Sequence, residues 1–234
     1  MTTADVAGMV ECFARAAARA RQAGFDALQV QACHGYLISQ FLSPLTNRRA
    51  DRYGGAIENR ARFLFEVIEA VRGAAGAAFP LLVKMNARDF VEGGLEPVEA
   101  VRVMKELGRM GVDAIEVSGG VASALENGPV RKGVRAGEGE AYFAPFAREV
   151  RGAVAPVPVI AVGGIRSFGV ARDLLDSGAA DMVALSRPLI CEPGLPNRWL
   201  AGDRPPSACI SCNRCFLAGL GGRGVACRNR EARQ

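Results

Sequence analysis

The sequence predicts an α/β protein: about five C-terminal β/α units of a TIM (β/α)8 barrel, residues 1–203, followed by a cysteine-rich tail over 204–234. Three observations carry that prediction. Short apolar strands alternate with amphipathic helices in one order, the pattern of a parallel sheet wrapped by helices. Each strand ends in a glycine or polar turn, where barrel proteins place their chemistry. No GxGxxG follows the first strand, which leaves a dinucleotide-binding doubly wound sheet with little support.

Residues 4–22 have Val6, Val10, Phe13, Ala17 and Ala20 at helical spacing, and Gly24 stops the helix. The run 25–31, FDALQVQ, reads as the first strand. It leads into a long polar loop from Gln31 to Gly55 that holds the only histidine and two of the three tyrosines. Helical spacing returns over 57–73, and Pro80 opens a second strand, PLLVKMN. A helix from about Pro97 to Met110 leads to the strand VDAIEVS and Gly119-Gly120. Residues 121–140 read as a loop. A helix from about Pro145 to Val154 then precedes the strand VPVIAV and Gly163-Gly164. The last unit is a helix from about Phe168 to Asp176 and the strand MVALS, ending at Arg187-Pro188.

A complete barrel has eight strands in roughly 250 residues. This chain of 234 residues opens on a helix and has five strands before its tail, so the expectation is that three N-terminal strands lie outside it. Half the residues are hydrophobic and 28 are glycine, as suits an α/β protein with many tight turns. The net charge of +5 is spread among acidic residues with no aromatic-interleaved basic stripe, which argues against a nucleic-acid surface. No membrane-spanning run and no signal-peptide pattern is present, so a cytoplasmic location is expected. Seven cysteines in such a chain argue against a disulfide framework, and four of them crowd the C-terminus.

Several residues carry candidate chemistry. Gly163 and Gly164 after the fourth strand, with Ser186 and Arg187 after the fifth, fit the phosphate site that barrels build after strands seven and eight. The alternative is that Gly-Gly only makes a turn. Lys84, alone in an apolar strand, must face a site or an ion pair. Cys209, Cys212, Cys215 and Cys227 have the spacing of an iron–sulfur ligand set, with zinc or bare thiols as alternatives. Cys33 beside His34 is poorly placed for a nucleophile pair, because neighbours on an extended chain point apart.

The run HGYLISQFLSPLTNRRADRYGGAIENRARF, with VGGI, ALSRPLICEP and CISCNRC, closely resembles the old yellow enzyme family of FMN-dependent NADH:flavin oxidoreductases. The VGGI, ALSRPLICEP and CISCNRC segments look like its larger bacterial branch, which includes 2,4-dienoyl-CoA reductase and trimethylamine dehydrogenase. The resemblance implies a barrel holding FMN over 1–203 and passing hydride from NAD(P)H to an activated alkene of enoate or dienoyl type, or a related small molecule. It implies that Tyr36 is the proton donor and that His34, with Gln31, contacts the substrate carbonyl. Gln31 stands where many members have a second histidine, and glutamine can donate a hydrogen bond but cannot titrate. Lys84 would lie beside the flavin N1–C2 carbonyl, and Gly163, Gly164, Ser186 and Arg187 would hold the phosphate. Cys209, Cys212, Cys215 and Cys227 would bind a 4Fe-4S cluster. Asn47, Arg48, Arg49, Asp51 and Arg60 are expected to build the loop. The expected partners are a small-molecule substrate and NAD(P)H, without nucleic acid or membrane, with a homo-oligomer as one expected assembly. Two other readings are a non-catalytic partial barrel that keeps a four-cysteine metal site but has lost flavin, and a barrel aldolase or isomerase using Lys84 as a Schiff base.

Overall fold

The computed structural model describes residues 1–222 and 224–231, so the end of the tail predicted over 204–234 lies outside the described residues. Helix α1 (Thr3–Gln22) starts at a capping box in which Thr2 and Asp5 satisfy each other's backbone N–H groups. Strand β1 (Leu28–Ala32) begins three residues later than expected, because Phe25 sits in an exposed turn bonded to the Ala20 carbonyl. The expected polar loop contains a short helix, α2 (Leu37–Leu42), which buries Ile38, Phe41 and Leu42. The helix predicted over 57–73 is split at Ala61 into α3 (Ile57–Arg60) and α4 (Arg62–Ala75), although Ala61 keeps right-handed helical angles.

Strand β2 (Leu81–Asn86), α5 (Pro97–Arg109) and β3 (Ala114–Ser118) follow as expected. Two short 3-10 turns over Ala122–Asn127, kinked at Leu125 (φ 51°), interrupt the predicted loop after β3. Next come α6 (Ala144–Val154), β4 (Val159–Ala161), α7 (Phe168–Asp176) and β5 (Met182–Val183). Strand β5 is two residues long, although the Ala184 N–H still bonds the Ala161 carbonyl. Among the described residues, four short helices follow: α8 (Arg187–Cys191), α9 (Leu195–Leu200), α10 (Arg214–Leu220) and α11 (Arg228–Glu231).

The five strands are all parallel and pair in sequence order, β1-β2-β3-β4-β5. Sequential order without a reversal point is barrel topology; a doubly wound sheet would reverse direction partway. The structure is therefore an α/β partial barrel. Among the described residues the sheet does not close, since β1 and β5 each have one strand neighbour. Strand β3 is buried at every position, as a central parallel strand covered on both faces should be. Helices cover one face: α1 packs on α4 through an edge-to-face contact of Phe13 with Phe63, whose centroids are 6.3 Å apart.

Register decides which side chains meet. Gln31 pairs with Lys84, and Lys84 pairs with Glu116, so one row across β1, β2 and β3 carries three polar side chains. Residues directly opposite each other in a sheet project to the same face. That face is the inner wall of the barrel.

Candidate active site

The turn after β1 is held from below. His34 has a positive φ of 63°, uncommon for a residue with a Cβ. Its N–H donates to Asn86 Oδ1 at 3.2 Å, and Asn86 is itself fully buried. The Asn86 amide donates to Asp89 Oδ1 at 2.9 Å and to the Gly120 carbonyl at 3.1 Å. Asp89 in turn accepts the Leu95 N–H at 2.9 Å. The loops after β2 and β3 therefore fix the backbone of the loop after β1. Gly35, at φ 81°, completes the turn, and its N–H donates to Ser39 Oγ.

The imidazole Nε2 of His34 lies 2.7 Å from Ser118 Oγ at the end of β3. Burial, reinforced by the positive charge of Lys84, lowers the His34 pKa to about 4. The ring is neutral at physiological pH and offers a hydrogen bond without a charge. Cys33 is buried, and burial pushes its thiol pKa up to about 12. The His34 ring bonds Ser118, so no Cys–His nucleophile pair forms.

The depressed His34 value has a consequence for stability. The unfolded chain titrates this group near 6.5 and the folded chain near 4, so the unfolded state binds more protons between those values. Stability is expected to be complete above about pH 6.5 and to decline as pH falls through about 4. In H34Q that part of the acid limb should vanish from urea midpoints measured between those pH values; an unchanged slope would contradict the assignment.

Lys84 Nζ is 2.7 Å from Glu116 Oε1, and the other carboxylate oxygen accepts from Gln29 Nε2 at 2.9 Å. Glu116 is only 5% exposed. The ion-pair alternative for Lys84 is thus present, on the same face as the cavity described next. With its amine engaged by a carboxylate, nothing in the arrangement favours the Schiff-base reading.

A cavity of about 360 Å³ opens at the C-terminal ends of the strands. Its walls include Gln31, His34, Tyr36, Lys84, Gly163, Gly164, Ser186 and Arg187, all of the non-cysteine residues predicted for the site. It also includes Ser118, Tyr142, Phe143 and Phe216, which the sequence reading did not single out. Tyr36, at the start of α2, is 61% exposed on the rim. The Gly163-Gly164 turn passes under the Tyr142 ring, and a Cβ at Gly164 would lie 2.8 Å from Tyr142 Cε1. A larger cavity of about 980 Å³, lined by residues 125–139 only, contains none of the strand-end side chains. Size does not make it the site.

Arg187 is 7% exposed. Its Nη1 donates to the Arg131 carbonyl and to Asn213 Oδ1, each at 2.7 Å. Both partners are neutral, and among the described residues no carboxylate pairs with this guanidinium. A buried cation met only by neutral oxygens is the electrostatic half of an anion site. Placed beside a glycine turn and Ser186, it fits a phosphate monoester. Lys84 lines the same cavity.

The polar set Asn47, Arg48, Arg49, Asp51 and Arg60 is absent from the walls of that cavity. Asn47 clamps the Phe41 and Tyr53 carbonyls at 2.7 Å each. Buried Arg60 bonds the Leu42 and Gly55 carbonyls and Glu99, and Arg49 pairs with Asp51. Arg48 has no part in these contacts.

The tail does not form the four-thiolate site expected from its spacing. Cys209, Cys212, Cys215 and Cys227 do line one small cavity of about 20 Å³. Among the described residues, however, no three His, Cys, Asp or Glu side chains come together as ligands for a metal ion. Cys227 is hydrogen-bonded to buried Cys191, whose thiol is pushed up to about 12, first by burial and then by that contact. No disulfide joins the cysteines. The structure therefore does not support the 4Fe-4S expectation. No helix among the described residues is long and apolar enough to cross a membrane.

The chain is 39% identical over 226 residues to a metal reductase of Desulforamulus reducens, covering 93% of this chain and 32% of that one. It is 43% identical over 196 residues to an NADPH dehydrogenase of Geobacillus thermodenitrificans, covering 84% and 54% respectively. Among solved structures, a 2-naphthoyl-CoA reductase in complex with 2-naphthoyl-CoA superposes with a TM-score of 0.85 at 27% identity, over 96% of this chain and 34% of that one. The chain thus spans between a third and about half of the length of these relatives. Residues 1–204 match a single family over most of the chain. By that match the chain belongs to the NADH:flavin oxidoreductase / NADH oxidase family.

Proposed function

We propose that this chain carries the substrate-facing wall and the phosphate end of an FMN site in an NAD(P)H-dependent oxidoreductase acting on an activated alkene or a related small molecule. One observation supports the reading: one cavity at the strand ends is lined by a buried Arg187 with no carboxylate partner among the described residues, together with Lys84, His34 and Tyr36. Residues 1–203 would form this barrel portion and 204–234 a separate tail.

FMN, when bound, supplies the two-electron carrier between NAD(P)H and the acceptor. Arg187, Ser186 and the Gly163-Gly164 turn would hold its phosphate, and Lys84 would stabilise negative charge on its ring. Neutral His34, oriented by Ser118 and Asn86, would donate a hydrogen bond to the acceptor carbonyl together with the Gln31 amide. Tyr36 would deliver the proton from its phenolic oxygen. His34 cannot serve as the acid near neutrality, since its pKa lies near 4.

The test is flavin retention. The chain is incubated with FMN, freed of excess by gel filtration and read by its visible spectrum. Flavin absorbance is expected to co-elute with the wild type. R187A should weaken binding by about 1.5–3 kcal/mol, the worth of a hydrogen bond to a charged group. A wild-type chain that retains no flavin would refute the reading and favour the non-catalytic barrel.

A further inference from the structure

We propose that Asn213 is a positioning residue that clasps the loop after β3 onto Arg187, so that the tail holds one wall of the candidate cavity in place. The cavity's assignment to flavin rests on the function proposed above; the clasp itself rests on hydrogen bonds. Asn213 lies in CISCNRC, between Cys212 and Cys215, with a left-handed φ of 61°. Asparagine is among the few residues with a side chain that accept this conformation readily.

The two ends of its amide reach different elements. Oδ1 accepts from Arg187 Nη1 at 2.7 Å, and Nδ2 donates to the Val130 carbonyl at 3.0 Å, 83 residues away in sequence. The same Nη1 also donates to the Arg131 carbonyl at 2.7 Å. Two positions earlier in the tail, the Ser211 carbonyl accepts the Gly133 N–H at 3.2 Å. Segment 130–133 is therefore tied by its backbone at Val130, Arg131 and Gly133 to the tail and to Arg187.

What the clasp holds is part of the cavity wall. With its backbone pinned, Arg131 places its guanidinium 4.4 Å from the Tyr142 ring centroid, 5.4 Å from that of Phe90 and 5.5 Å from that of Phe143. Tyr142 and Phe143 line the cavity, and Tyr142 covers the Gly163-Gly164 turn. The chain of contact runs from Asn213 through Val130 and Arg131 to the rings over the phosphate end. Lys132 and Gly133 in the clasped segment are exposed; on either side, the Tyr142 hydroxyl donates to the Pro129 carbonyl and Arg166 to that of Val134, so the clasp bonds restrain the stretch between those two anchors.

Trypsin reads the clasp directly, since Arg131 and Lys132 are both cleavage sites within it. N213G removes the amide and keeps the left-handed backbone free of strain. The full chain and N213G are digested without flavin under native conditions, and fragments are followed by mass spectrometry. Cleavage after Arg131 and Lys132 is expected to accelerate at least about tenfold in N213G, equivalent to about 1.4 kcal/mol of easier local opening. Cleavage after Arg72, inside α4, serves as the measure of global unfolding and should change less than about twofold. Equal acceleration at all three sites, or none at the loop, overturns the clasp. Repeating the digest with saturating FMN should slow loop cleavage in the wild type and much less in N213G. An unprotected wild type that still shows the flavin-free difference refutes the flavin assignment and leaves the clasp standing.

Discussion

On the function proposed above, Tyr36→Phe is expected to lower the rate of substrate reduction by about 10²–10⁴-fold, the usual worth of a positioned general acid. Reduction of bound flavin by NAD(P)H should proceed as in the wild type, because that step requires no proton from the tyrosine. The structure makes the substitution mild in every other respect. Tyr36 is 61% exposed, and its fold contribution is a backbone one: its N–H bonds the Cys33 carbonyl and its own carbonyl accepts the Gln40 N–H. Loss of one hydroxyl from such a rim position should change stability by less than about 0.5 kcal/mol. Rapid-mixing measurements of the two half-reactions check this. A variant whose two halves slow together, or whose substrate reduction is unchanged, would remove Tyr36 from the proton-donor role.

Glu116→Leu is expected to destabilise the protein by about 3–5 kcal/mol, because it leaves Lys84 without its charge partner inside the sheet's inner face. The side chains of the pair are 7% and 19% exposed for Glu116 and Lys84, so solvent compensates little for the loss. The lower end of the range is favoured by the residual exposure of the lysine. Gln29 would also lose its acceptor, since its amide bonds the second carboxylate oxygen. The double variant K84M/E116L should recover most of the lost stability, as replacing a whole buried pair with apolar side chains is often neutral. It should retain no flavin if the cation is needed beside the ring. Urea denaturation of the two single variants and the double one closes the cycle. Simple additivity of the single effects would show that the pair is uncoupled and that the 2.7 Å contact carries no energy.

Much of the fold was readable from periodicity. The long amphipathic helices over 3–22 and 97–109, and the apolar runs that became β2 and β3, each show their period over enough residues to be unambiguous. Helix α2 escaped because LISQFL is only six residues, less than two turns, inside a polar stretch. The cysteine tail misled for a different reason. CxxCxxC spacing permits a ligand set, but whether thiols converge depends on where the chain carries Cys227, and here it meets Cys191.

The candidate site divides along the same line. The residue types in HGY, in VKMN, and in the GG and SRP turns were legible because each is unusual at the end of an apolar strand. Their partners were not. Ser118 lies 84 residues from His34, Asn86 lies 52, and Gln29 and Glu116 are 87 apart. The Arg187–Asn213 bond joins two elements with no pattern in common. By itself the sequence determined the alternation of strands and helices and the chemistry available at each strand end, since both are local properties of residue type and spacing. The tertiary structure alone decided which of those groups meet. Parallel register sets Lys84 against Glu116 and a buried asparagine sets the turn at His34, and neither contact is written in any short stretch of chain.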